Sequence, residues 1–142
     1  MTPDLLVFGP LEMQFTFSLV LALVLGLVIG AERETRGKDA GISTHILVIA
    51  GAMLFTLISN IVDPLSTSRI ASQIVVGIGF LGAGLILKDG VTVRNLTTAA
   101  SLWFSAAVGM AIGYEFYTIA IIGGIAAVII PRIPSLNKHG GE

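Results

Sequence analysis

The side chains able to do chemistry gather at the edges of long apolar runs. Glu32, Arg33 and Glu34 close the first run, and Lys38 follows in the same charge cluster. Thr44 and His45 open the second run. Lys88 ends the third, and Arg94, Asn95, Thr97 and Thr98 open the fourth. Carboxylates beside guanidinium and ammonium groups suit an ion-pair network in one polar layer. The same charges also suit a solvated interface belt, because long charged side chains reach from helix ends to the headgroups. His45 fits a hydrogen-bonded interface residue or a ligand, and Asn95 or Thr97 fits a cap of the fourth helix. Gln73 stands apart, one turn after Arg69. An amide inside lipid needs a partner, which another helix, a water-filled cavity or Arg69 would supply.

Other chemistry is missing from the sequence. There is no Cys, hence no disulfide and no thiolate nucleophile or metal ligand. No Ser-His-Asp set and no metal-ligand spacing stands out, so an enzyme is not expected and no resident cofactor is assigned. No Asp, Glu, Lys or Arg lies in the middle of an apolar run, where a charge is costly and usually functional. An ion carrier built on a midplane carboxylate is therefore not supported within one subunit. Gly77, Gly79 and Gly82 match a GxGxxG pattern, but a dinucleotide site needs a strand before it and a helix after it. Here the pattern lies inside an apolar run. The net charge of −1 gives no basic field for nucleic acid.

The elements that position these residues follow from hydropathy. Hydrophobic residues make up 54% and charged residues 12%, against about 25% charged in soluble domains. Mean hydropathy is +0.93. A soluble domain of 142 residues could not bury that surface, whereas a bilayer accepts it. Five runs approach the roughly 20 residues a spanning helix needs: 13–31, 43–62, 70–87, 97–113 and 116–131. They are apolar on every face, unlike the alternating strands of a membrane barrel. The expected fold is an all-α bundle of five transmembrane helices in one domain covering 1–142. KDGVTVR reads as a polar hairpin loop and Tyr114-Glu115 as a minimal turn. The first ten residues hold no Lys or Arg, so no cleaved secretory leader is expected.

Five spans place the two ends on opposite sides. Arg33, Arg36, Lys38, Lys88, Arg94, Arg132 and Lys138 then share one side, and Arg69 alone takes the other. This bias predicts an outward N-terminus and a cytoplasmic C-terminus. The small residues suggest packing, because helix association in lipid relies on close backbone approach. Gly26 and Gly30 have GxxxG spacing, and Gly109 lies on a ridge with Thr97, Ser101, Ser105 and Gly113. Gly77, Gly79, Gly82 and Gly84 make the third helix small on several sides, so it is expected at the centre of the bundle.

Three segments resemble the MgtC/SapB family. Gly30-Ala-Glu32-Arg33-Glu34 followed by Lys38-Asp-Ala-Gly-Ile-Ser-Thr44-His45 is similar to its first cytoplasmic loop. Arg69-Ile-Ala-Ser-Gln73-Ile-Val-Val-Gly77-Ile-Gly79-Phe-Leu-Gly82-Ala-Gly84 looks like its most recognisable segment, and Asn95-Leu-Thr97-Thr98-Ala-Ala-Ser101-Leu-Trp103 like a third. The match runs from about Leu23 to Gly113, in order and spacing. Two departures stand out. The family usually has Arg where this chain has Ser43, and many members carry a soluble domain after the last helix, whereas this sequence ends at Glu142. Functions tied to that Arg or that domain are not carried over.

The resemblance implies a multi-pass protein of the bacterial inner membrane, linked to magnesium homeostasis, acid-stress adaptation and virulence. Relatives are implicated in restraining an ATP synthase and altering phosphate uptake. The expected role is regulation of other membrane proteins through helix contacts, with an ATP synthase or a transporter as partner and a homodimer as the working unit. The alternative is an oligomeric channel or transporter for Mg²⁺ or another small ion. A hydrated Mg²⁺ could pass a site of Gln73, Asn95, threonine hydroxyls and carbonyls, because Mg²⁺ keeps its water tightly.

Overall fold

The computed structural model describes residues 9–89 and 92–134, without the side chains of Lys88 and Asp89. The Lys88 side chain and Lys138 therefore lie outside the described residues. Five helices follow one another: α1 (Pro10–Thr35), α2 (Ile42–Val62), α3 (Ser68–Leu85), α4 (Leu96–Gly113) and α5 (Tyr117–Ile129). The first four are long and apolar enough to cross a membrane. With α5 they form an all-α membrane bundle. At 1.5 Å per residue, the 13 residues of α5 rise only about 20 Å. A 3₁₀ turn, Ile130–Arg132, extends it and contains Pro131. The polar hairpin is two three-residue strands, β1 (Leu87–Asp89) and β2 (Thr92–Arg94), paired antiparallel with Leu87 opposite Arg94.

Local sequence explains the ends. Pro10 begins α1, where its missing N–H costs nothing. Gly37 ends it at φ +62°: its N–H donates to the Glu34 carbonyl and that of Lys38 to the Arg33 carbonyl. This is a Schellman closure, which requires a left-handed residue. Tyr114 and Glu115 make the short α4–α5 turn, with Glu115 at φ 64° and the Phe116 N–H donating to the Ala111 carbonyl.

Two clusters of buried apolar residues hold the helices together. One joins Ala22, Leu25 and Ile29 of α1 to Ile49 and Met53 of α2, Val108 and Ile112 of α4, and Ala120 and Ala127 of α5. The other joins Ala40, Ala52, Ile78, Leu102 and Ala106. Only α2 and α4 contribute to both, so they form the centre. The outer face is apolar as well: Phe80 is 81% exposed and Leu47 72%. Such a surface fits lipid rather than water.

The expected central position of α3 is corrected. Only Ala71, Ile78 and Gly82 of this helix are buried. A Cβ at Gly77, Gly79 or Gly84 would meet nothing within 4 Å. Small residues permit close contact but do not create it, and among the described residues no other helix comes within 4 Å of where those three Cβ atoms would lie. Close approach occurs elsewhere. A Cβ at Gly26 would lie 2.6 Å from the Ile46 Cα, and one at Gly30 would overlap the Ile42 backbone. One at Gly109 would strike the Ile49 carbonyl, so α4 packs against α2 as α1 does. Gly82 has a looser contact, 3.8 Å from Ala99.

Candidate functional site

The last turn of α1 carries the buried charges of the bundle. The Glu32 side chain is 3% exposed and that of Arg33 1%. Glu32 Oε2 lies 3.4 Å from Arg33 Nε. Its Oε1 meets Arg36 Nη1 at 3.4 Å and Arg132 Nε at 3.5 Å. Arg36 Nη1 also donates to the Pro131 carbonyl at 2.9 Å. The end of α1 is thereby tied to the turn after α5. Arg33 Nε and Nη1 and Glu32 Oε2 are buried without a well-aligned hydrogen bond. An ion pair so placed is strongly held only while both members remain, since a lone buried charge is very costly.

His45 continues this layer on α2. It is fully buried, and its Nδ1 donates to the Gly41 carbonyl at 2.8 Å. Its Nε2 faces Ser101 Oγ of α4 at 3.4 Å, while Ser101 donates to the Thr98 carbonyl at 2.7 Å. Glu34 lies outside this core: its Oε1 accepts the Ile42 N–H at 2.9 Å and so caps the start of α2. Asn95 takes the left-handed conformation, φ 66°, and makes no side-chain cap on α4. Its amide donates instead to Asp39 and to the Leu85 carbonyl, joining the end of α3 to the α1–α2 loop.

The remaining polar positions are scattered. Lys38 contributes its backbone N–H to the α1 terminus. Arg94 is exposed on β2, and Thr97 is exposed on the first turn of α4. Thr44 is half-buried and lines a groove between α2 and α3. The outer pair does not assemble. Arg69 turns to Asp63, Nη1 to Oδ2 at 3.5 Å, while Gln73 is exposed and lines the same groove. The Asp63 carboxylate, in the loop before α3, is the nearer attraction for a guanidinium.

That groove has a volume of about 660 Å³ and is mostly apolar, with Leu47, Phe55 and Leu81 on its walls and Gly51 and Gly77 thinning them. A second groove, about 300 Å³, lies between α4 and α5 and includes Ser101, Phe104, Ile130 and Pro131. Among the described residues no three His, Cys, Asp or Glu side chains gather as a metal site would need. Residues that the sequence alone did not single out as site residues complete the picture. Arg132, Asp39 and Ser101 enter the polar layer only through contacts distant in the chain. At the other end, Ser59 and Tyr114 both donate to the Thr67 carbonyl and fix the loop before α3.

A sequence profile of the MgtC family matches residues 19–135. The protein MgtC of Salmonella typhimurium (strain LT2) is 50% identical over 99 residues, which cover 70% of this chain and 43% of that protein. The putative magnesium transporter YhiD of Escherichia coli (strain K12) is 41% identical over 129 residues, 84% of this chain and 60% of that protein. The uncharacterized protein slr0014 of Synechocystis is 46% identical over 112 residues, 78% of this chain and 48% of that protein. The chain thus spans about half the length of these relatives. No solved structure matches it. The resemblance first visible around Glu32, Gln73 and Asn95 extends along most of the sequence, and the chain belongs to the MgtC family.

Proposed function

We propose that this protein is a regulator in the bacterial inner membrane, acting in magnesium homeostasis and adaptation to low Mg²⁺ and acid stress. It works by seating a transmembrane helix of another membrane protein in the α2–α3 groove. The observation that carries this reading is the groove itself. It is about 660 Å³ and apolar, walled by exposed side chains such as Leu47 and Phe55 and thinned by Gly51 and Gly77, with a single amide, Gln73, on its wall. Helix association in lipid depends on this kind of small-residue surface with an occasional polar bond. The basic end of the bundle faces the cytoplasm in this reading, and the protein performs no catalytic step.

A second reading is an oligomeric Mg²⁺ channel or transporter. It is favoured by the name of the Escherichia coli relative, a putative magnesium transporter. Mg²⁺ flux into proteoliposomes separates the two. The regulator reading predicts uptake equal to that of empty vesicles by correctly folded protein. Saturable uptake dependent on the protein contradicts it and supports transport.

A further inference from the structure

The cluster at the end of α1 carries more positive than negative charge. Among the described residues, Arg33, Arg36 and Arg132 bring three guanidinium charges to the one carboxylate of Glu32, an excess of two. The other carboxylates of the neighbouring loop are turned elsewhere, Glu34 to the Ile42 N–H and Asp39 to Asn95. Arg33 is almost fully buried, and its Nε and Nη1 lack a hydrogen-bond partner among the described residues. Arg36 and Arg132 are accessible, with side chains 42% and 60% exposed. Both guanidiniums converge on the same oxygen, Glu32 Oε1, so they stand side by side. A planar fork of donors suits a phosphate better than an ammonium group does.

The place of the cluster narrows the ligand. It lies where α1 and α5 end, at the level where a spanning helix meets the headgroups. Ile130 and Pro131, beside Arg132, form one wall of the α4–α5 groove, and the Pro131 carbonyl accepts from Arg36. The same turn therefore borders a cationic cluster on one side and an apolar groove of about 300 Å³ on the other. A molecule with a phosphate head and a hydrocarbon chain matches both.

We propose that Arg36 and Arg132, backed by buried Arg33, bind the phosphate of an anionic phospholipid whose acyl chain enters the α4–α5 groove. Glu32 holds the arginines in place and keeps their combined charge from being prohibitive. Basic pockets between helices at one membrane face are suited to such headgroups. The single negative charge of the lipid phosphate then offsets about half of this excess. This proposal does not depend on the regulator reading.

The test titrates the purified 142-residue chain in mild detergent with phosphatidylglycerol or phosphatidylcholine and counts bound lipid by native mass spectrometry. Phosphatidylglycerol should bind more tightly than phosphatidylcholine. Its affinity should fall roughly 30-fold in the double variant Arg36→Gln, Arg132→Gln, at about tenfold or less per charge. Arg36→Lys with Arg132→Lys should restore part of the loss, since it returns the charge but not the planar fork. Equal phosphatidylglycerol affinity in the native chain and the glutamine variant overturns the proposal. Inorganic phosphate separates the possible sources. Failure of phosphate to displace the lipid supports the lipid site, whereas phosphate that displaces it through the same arginines assigns the site to a free anion and overturns the lipid. If the glutamine variant does not fold, the native chain decides: lipid binding that weakens as salt rises supports an ionic site, and salt-independent binding contradicts it.

Discussion

Glu32, in the last turn of α1, lies 3.5 Å from Arg132, in the turn that follows α5. One carboxylate thereby ties together segments from the two ends of the described chain. It also screens Arg33, the largest fully buried side chain among the described residues.

Removing that carboxylate should be costly. Glu32→Ala leaves Arg33 buried without a counter-charge and removes the Arg132 contact, so that the Arg36–Pro131 bond alone links these side chains to the turn after α5. A loss of about 3–5 kcal/mol is expected, the usual cost of stranding one member of a buried pair. Denaturant unfolding in detergent measures it. Arg132→Ala, whose side chain is 60% exposed, should cost about 1 kcal/mol or less. Similar losses in both variants would contradict this reading of the cluster.

The glycines divide into two classes. Gly26→Val should disrupt the bundle, because its Cβ would lie 2.6 Å from the Ile46 Cα of α2. Overpacking a close contact costs about 1–3 kcal/mol or more. Gly84→Ala has open space around its Cβ and should leave stability unchanged or raise it by up to about 1 kcal/mol. Melting temperatures of the two variants in the same detergent check the contrast.

Asn95 combines a left-handed backbone with two hydrogen bonds from its amide. Asn95→Gly keeps the conformation and loses the bonds to Asp39 and Leu85. Asn95→Leu loses both, so it should be less stable than Asn95→Gly by about 1–2 kcal/mol. Paired unfolding curves of the two variants test the order. Equal stability would mean that the φ of 66° carries no cost.

Much of the fold was legible in the sequence because lipid enforces a simple rule. An unbroken apolar run must satisfy its own backbone and so becomes a helix. The runs, the polar hairpin after Leu87 and the turn at Tyr114-Glu115 all follow from that rule. The packing order did not. Gly77, Gly79 and Gly84 have the composition of a buried helix, yet burial depends on which neighbour arrives, and the close backbone approaches fall instead between α1 and α2 at Gly26 and Gly30 and between α4 and α2 at Gly109. The site was legible in part. Glu32, Arg33 and His45 stand out as polar residues beside apolar runs. Their partners Arg132 and Ser101 are set by helix placement, which no local pattern records. Arg69 and Gln73 show the converse. Helical spacing allows them to meet, but Asp63 draws Arg69 away.

The α2–α3 groove is the proposed working surface, and two glycines of one helix test it. Gly77 lines the groove; Gly79 has equally open surroundings but is not part of its lining. Each is changed to Leu in a strain whose growth at low Mg²⁺ depends on this protein, with membrane levels and folding of both variants verified. Gly77→Leu fills the groove and should abolish growth at low Mg²⁺, while Gly79→Leu should grow as the native strain does. Growth unaffected by Gly77→Leu, or lost equally in both, would contradict a working surface between α2 and α3.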